Sequence, residues 1–249
     1  MKFTGKNVLV TGGSRGIGAE IVATLAQYGL KVWMNYNSSE KQAKKVKENI
    51  LEIYPDAKIE TIKFNVASEN EYIKAIGIII ERDGRIDYMV NNAGITKDAM
   101  SIAMDLVDYD EVIQVNARAC FIGCKEALKH MARNRFGSVV NVSSVTAQMG
   151  NAGQANYASS KGAINSMTKT FALEGAPRGV RFNVISPGLI ATDMMESLND
   201  DTSASLISKV PLKRLGTTQE ISYSVAFVLS DYASYMTGAN ININGGLYM

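Results

Sequence analysis

The chain has 249 residues, is 46% hydrophobic and carries a formal net charge of +2, so it has enough apolar residues to bury one large core. Basic and acidic residues are interspersed, with no linker-like or single-sign block, which predicts one domain over 1–249 and speaks against a nucleic-acid footprint. Aliphatic runs such as Ile78–Ile80 are far too short to cross a bilayer, and Met1-Lys2 leads into a predicted strand rather than a signal peptide, so no membrane partner and a cytoplasmic location are expected.

Asn7-Val8-Leu9-Val10 is a short apolar run leading into Thr11-Gly12-Gly13-Ser14-Arg15-Gly16-Ile17-Gly18, after which Ile17, Ile21 and Leu25 recur at helical spacing. This predicts strand, glycine turn and helix. Glycines let backbone N–H groups approach a pyrophosphate, and the helix N-terminus adds its positive dipole end. A glycine turn without a ligand is the plainer alternative. Leu30–Tyr36 reads as the second strand, ending Asn35-Tyr36-Asn37-Ser38 with no acid until Glu40. NAD sites commonly place an acid here against the adenosine ribose. Its absence leaves room for a 2′-phosphate that Arg15 can meet, so the charges point to NADPH/NADP+ over NADH, unless Arg15 is merely a solvated cation.

A helix follows from Ser38 or Ser39 to about Tyr54, closed by Pro55. Lys58–Val66 reads as a strand finishing at Asn65-Val66, beside where an adenine would lie. Glu69–Arg82 is the next helix, and Ile86–Val90 is a fourth strand ending in Asn91-Asn92-Ala93-Gly94. Doubly wound sheets bind ligands at such carboxyl ends. Val107–Asn134 has a helical pattern interrupted around Asn116-Ala117-Arg118, and an asparagine inside a helix often has a side-chain task. Cys120 and Cys124 lack zinc partners in a chain with one His and read as packing thiols, so no metal is expected.

Ser138–Val142 is the fifth strand, with Ser143-Ser144 at its end, and Gly150 and Gly153 let the next loop bring Ser144 towards Tyr157. Ala155–Leu173 is a helix in which Tyr157 and Lys161, four residues apart, share a face. The spacing alone is weak, since Tyr54 and Lys58 repeat it, although Pro55 breaks that second pair. A nearby ammonium is expected to lower the phenol pKa and let Tyr157 protonate a forming alkoxide. Val180–Ile185 is a sixth strand, followed by Ser186-Pro187-Gly188. Repeated strand–helix alternation predicts a doubly wound, Rossmann-type parallel α/β sheet of about seven strands, with helices on both faces. Leu189–Gly216 breaks the rhythm, and its Met194, Met195, Leu198 and Leu206 suit a substrate lid, with a helical hairpin as the alternative. Thr218–Ser230 and Ala239–Asn244 form the last helix and strand, and the tail Leu247-Tyr248-Met249 is expected to pack on another subunit.

Thr11-Gly12-x3-Gly16-x-Gly18, Asn91-Asn92-Ala93-Gly94, Asn116, Ser144, Tyr157-x3-Lys161 and Pro187-Gly188 together resemble the short-chain dehydrogenase/reductase family over essentially the whole chain. Asn92–Asp98, Met149–Tyr157, Val210-Pro211-Leu212 with Arg214-Leu215-Gly216, and the ending Asn244–Met249 look like the branch acting on 3-oxoacyl groups of acyl carrier protein in bacterial fatty-acid synthesis. The resemblance implies hydride transfer from NADPH, with Tyr157 as proton donor and Ser144 holding the substrate oxygen. Lys161 would hold the ribose and lower the tyrosine pKa, while Asn116 would anchor a relay water. It further implies that Gly12, Gly13, Ser14, Arg15, Gly16, Ile17, Gly18, Asn37, Asn65, Val66, Asn92, Ala93, Gly94, Tyr157, Lys161, Pro187, Gly188, Ile190 and Thr192 hold the cofactor. A homotetramer is implied, with Arg135 and Arg178 facing an acidic carrier protein. Pro177 and Arg118 depart from the family pattern, and Pro177 is expected to end its helix early. An acetoacetyl-CoA, sugar or polyol reductase would use the same chemistry, whereas a non-catalytic nucleotide-binding protein is disfavoured by the intact Asn116, Ser144, Tyr157 and Lys161.

Overall fold

The computed structural model describes residues 1–192 and 200–249. Seven parallel strands form one sheet in the order β3-β2-β1-β4-β5-β6-β7. They are β1 (Asn7–Val10), β2 (Lys31–Tyr36), β3 (Ile59–Lys63), β4 (Tyr88–Asn91), β5 (Gly137–Val142), β6 (Val180–Pro187) and β7 (Asn240–Ile243). Order reverses between β1 and β4, and in such a sheet the crevice at the carboxyl ends of the strands there is the place for a ligand.

Side chains alternate across the strands, so each strand feeds two cores. Val8, Val10, Val32, Met34, Val140 and Val142 point to one face. There they meet α1 (Gly16–Gln27) and α2 (Glu40–Ile53). Leu9, Trp33, Met89 and Val139 point to the other face, covered by α3 (Glu69–Asp83), α5 (Ala119–Asn134) and α7 (Ala155–Gly175). Both faces of the sheet are therefore dry, which is why these strands read as continuous apolar runs. Buried Cys120 and Cys124 belong to the second core.

The interruption at Asn116 is a π-helical turn, Ile113–Arg118, joining α4 (Leu106–Val112) to α5. A short α6 (Thr146–Met149) lies between β5 and α7. The α-helix of α7 stops at Gly175, two residues before Pro177, which sits in a 3-10 turn, Ala176–Arg178; a proline is tolerated there because the N–H it lacks has no helical partner. Strand β3 stops at Lys63, so Asn65 and Val66 lie in the turn beyond it, where the Asn65 side chain accepts a hydrogen bond from the Ala67 N–H.

The ends of the 189–216 stretch are tied together: Ala191 N–H donates to the Gly216 carbonyl and Gly216 N–H to that of Leu189. Between them lies α8 (Asp200–Ser208), while Met194, Met195 and Leu198, on which the lid reading leans, lie outside the described residues. The chain then enters α9 (Thr218–Leu229) through a capping box of Thr217 and Glu220, and α9 packs beside α1 through a 2.8 Å hydrogen bond between Thr24 and Ser222. Among the described residues no helix is long and apolar enough to cross a membrane.

Candidate active site

The turn after β1 is built from close backbone approaches. Gly12 and Gly16 have φ of 64° and 51°, values that side chains other than glycine's disfavour. A Cβ on Gly18 would lie 2.1 Å from the Gly12 carbonyl oxygen and 2.5 Å from the Asn92 amide nitrogen. The turn is held by its neighbours: Asn35 accepts from Gly12 N–H at 3.1 Å and Asn92 donates to the Thr11 and Gly12 carbonyls. Asn35 is thus a brace within the protein rather than a surface contact. The first turn of α1 contains no acid and no side-chain cap, so its free N–H groups and dipole end face outward as an anion cradle. Ser14, Arg15, Ile17 and Asn37 line its approaches, with Arg15 and Asn37 exposed.

Across the crevice, the carboxyl ends of β4, β5 and β6 bring the other residues into place. A Cβ on Gly94 would lie 3.2 Å from Asn116 Oδ1 and 3.5 Å from Lys161 Nζ, so Gly94, Asn116 and Lys161 meet at one point. Lys161 is 3% exposed, donates to the Val142 carbonyl at 2.8 Å, and lies 5.6 Å from the centroid of the Tyr157 ring. Ser144, just past β5, accepts from Thr146 N–H through its hydroxyl. Pro187 ends β6, and the Gly188 N–H donates to the Ile243 carbonyl. Ile190 is buried, and a Cβ on Gly16 would meet Thr192 at 3.8 Å, which places residues 188–192 over the glycine turn.

The electrostatics differ from the expectation for Tyr157. Burial raises the phenol pKa, with the Ser144 hydroxyl pulling it down and the Asp98 charge pushing it up. Burial also lowers Lys161 to about 8. Both changes have one cause: a site shielded from water penalises phenolate and ammonium alike. Among the described residues no carboxylate forms an ion pair with Lys161. Burial thus favours the protonated phenol of Tyr157, which suits it to donate a proton.

Sequence reasoning missed two residues on the first turns of α7. Fully buried Asn156 donates to the Lys97 carbonyl at 2.8 Å, and fully buried Ser160 accepts from Asn116 at 3.0 Å. Their i, i+4 spacing on the tyrosine's own helix was the available signal. Arg135 and Arg178 stand apart from the site. Each precedes the start of a strand, β5 and β6 respectively, so they sit at the amino edge of the sheet, where Arg135 donates to the Pro177 carbonyl.

A doubly wound sheet with a glycine turn at its switch point, and Ser, Tyr and Lys gathered across the crevice, is the architecture of a Rossmann-type oxidoreductase. The chain belongs to the short-chain dehydrogenase/reductase family. Residues 12–248 match the family model described as enoyl-(acyl carrier protein) reductase. Proteins named 3-oxoacyl-[acyl-carrier-protein] reductase FabG are 40% identical to it. In Staphylococcus aureus (strain Mu50) and Salmonella typhimurium (strain LT2) the similarity covers 249 residues, all of both chains. In Staphylococcus epidermidis (strain RP62A) it covers 244 residues, 98% of this chain and 99% of the relative.

Proposed function

We propose that this protein reduces 3-oxoacyl groups on acyl carrier protein to 3-hydroxyacyl groups with NADPH, as a cytoplasmic homotetramer acting in fatty-acid elongation. The observation that carries the reading is the meeting of Asn116, Tyr157 and Lys161, with Ser144 beside the phenol, in a chain 40% identical from end to end to proteins of that name.

A dinucleotide fits the residues present. The glycine turn leaves no room for side chains at Gly18, and the uncapped α1 terminus suits a pyrophosphate. Gly12 to Gly18, Asn37, Asn65, Val66, Asn92 to Gly94, Tyr157, Lys161, Pro187, Gly188, Ile190 and Thr192 would hold it. The preference for NADPH rests on Arg15 and on the first acid after β2, Glu40, being engaged by Lys44 at 2.8 Å. When bound, the cofactor supplies the hydride that forms the new C–H bond.

The chain's own side chains manage the oxygen. The Ser144 hydroxyl donates a hydrogen bond to the substrate carbonyl, where negative charge develops. Tyr157, kept protonated by burial, gives its proton to that oxygen. Lys161 stabilises the resulting phenolate, and Asn116 holds the Gly94–Ile95 backbone through hydrogen bonds of 2.8 and 3.0 Å to Ile95. The stretch 189–216 would close over the acyl chain as a lid.

Exposed Ile102, Leu106, Val107, Phe121 and Leu173 supply apolar surface for association into the tetramer. Arg135 and Arg178 lie a strand's length, about 20 Å, from their own chain's site. As exposed cations they would steer an acidic carrier protein towards that edge.

The test is the rate of cofactor oxidation with acetoacetyl-carrier protein and acetoacetyl-CoA, each with NADPH and with NADH. The reading expects the carrier substrate with NADPH to be turned over fastest. Activity confined to CoA or to unrelated carbonyls would keep the chemistry and discard the pathway. Reduction of a 2-enoyl carrier substrate in place of the 3-oxo one would overturn the carbonyl reading.

A further inference from the structure

We propose that Ser160 is a positioning residue for Asn116, a role that rests on the reading of the site above. Both N–H donors of the Asn116 amide are engaged. Its Oδ1 accepts from Ile95 N–H at 2.8 Å, and its Nδ2 donates both to the Ile95 carbonyl and to Ser160 Oγ, each at 3.0 Å. An amide nitrogen has two hydrogens, so Ser160 takes the one that Ile95 leaves. The serine hydroxyl in turn donates to the Tyr157 carbonyl at 2.8 Å. Asn116 and Ser160 are 1% and 0% exposed, so both bonds lie away from bulk solvent.

The arrangement has a direction that a packing role would not require. A serine inside a helix commonly donates to a carbonyl one turn back, and that bond alone would need nothing from Asn116. Here the hydroxyl's lone pair is also used, by a residue 44 positions away in sequence. Asn116 sits in the π-helical turn Ile113–Arg118, a helix form that is rare and found mostly as single-turn bulges, frequently at functional sites. The Ser160 bonds tie that turn to the backbone of Tyr157. Asn156 reinforces the same seam one helical turn earlier, accepting from Tyr157 N–H at 2.7 Å while donating to Lys97. The segment from Gly94 to Lys97 is thereby held to the helix that carries the proton donor.

The experiment is a double-mutant cycle on the intact enzyme with Ser160→Ala, Asn116→Ala and both together, measuring kcat, KM and NADPH affinity. Loss of one neutral hydrogen bond predicts a fall in kcat of about five-fold for Ser160→Ala, with KM and NADPH affinity unchanged. Asn116→Ala should cost more, and the double variant should be no slower than Asn116→Ala alone, because the serine acts through the asparagine. Ser160→Thr, which keeps the hydroxyl, should restore most of kcat and separates the bond from any folding defect of the alanine variant. Losses that multiply in the double variant, or a threonine as slow as the alanine, would overturn the inference. Full activity in Asn116→Ala would remove the underlying assignment and this inference with it, whereas a slow Asn116→Ala beside an unaffected Ser160→Ala would remove the inference alone.

Discussion

The two edges of the sheet handle buried polarity in opposite ways. At the amino edge, Asp87 forms an ion pair with Arg85 and accepts from the Lys6 and Asn7 N–H groups at 2.7 and 3.1 Å. Nearby, Arg181 donates to the carbonyls of Met236, Val228, Leu229 and Ser230, which closes the C-terminus of α9. Charge there is spent on holding backbone. At the carboxyl edge, Lys161 is buried and donates to the Val142 carbonyl with no carboxylate paired to it among the described residues, and burial raises the pKa of Tyr157. Groups left short of counter-charge are costly to a fold and useful to a reaction. One edge stabilises; the other is held ready.

The sharpest way to break this contrast is to remove the proton donor. Tyr157→Phe deletes one hydroxyl from a half-buried ring, so the fold and NADPH affinity should survive while kcat falls about a thousand-fold. Steady-state turnover beside a fluorescence titration of NADPH checks both halves. A variant that retains full turnover would place the proton source elsewhere.

The amino edge should respond the other way round. Asp87→Ala orphans two backbone N–H groups and the Arg85 charge, so stability should drop by about 3 kcal/mol. Urea unfolding would register this as a lower midpoint, and kcat of the folded enzyme should stay within about two-fold of wild type. A large loss of turnover at unchanged stability would show that the two edges are not separate in function.

Much of this division is legible in the residues. Short apolar runs followed by Gly or Asn mark where strands end, and the break in helical pattern at Asn116-Ala117-Arg118 falls within the π-turn of 113–118. The placement of Arg135 and Arg178 was also available, since each stands just before a strand of a parallel sheet, on the side away from the ligand edge. What resisted reading was anything set by depth. Spacing puts Lys161 beside Tyr157, and from spacing alone the ammonium should lower the phenol pKa; only the burial of both groups reverses that direction. Ser160 was equally silent, because its partner is 44 residues distant and no local pattern announces it. Strand β3 ends three residues before Val66, a boundary fixed by pairing with β2 rather than by composition.

The smallest effect expected is also the most direct test of an uncompensated charge. Burial lowers Lys161 from its ordinary 10.5 to about 8. Below pH 8 the folded and unfolded chains both carry the proton, and the folded one bears the full cost of the buried ammonium. Between about pH 8 and 10.5 the unfolded chain still binds a proton that the folded chain has released, so stability rises with pH across that window. Lys161→Met fills similar volume without a titrating group and should lack this rise. The melting temperature of the ligand-free wild type, measured relative to the variant, should therefore climb between pH 7.5 and pH 10. The slope is the informative quantity, because losing the donor to Val142 shifts the variant by a pH-independent amount. A flat difference would mean that Lys161 has a counter-charge in solution, and the contrast between the two edges would lose its electrostatic basis.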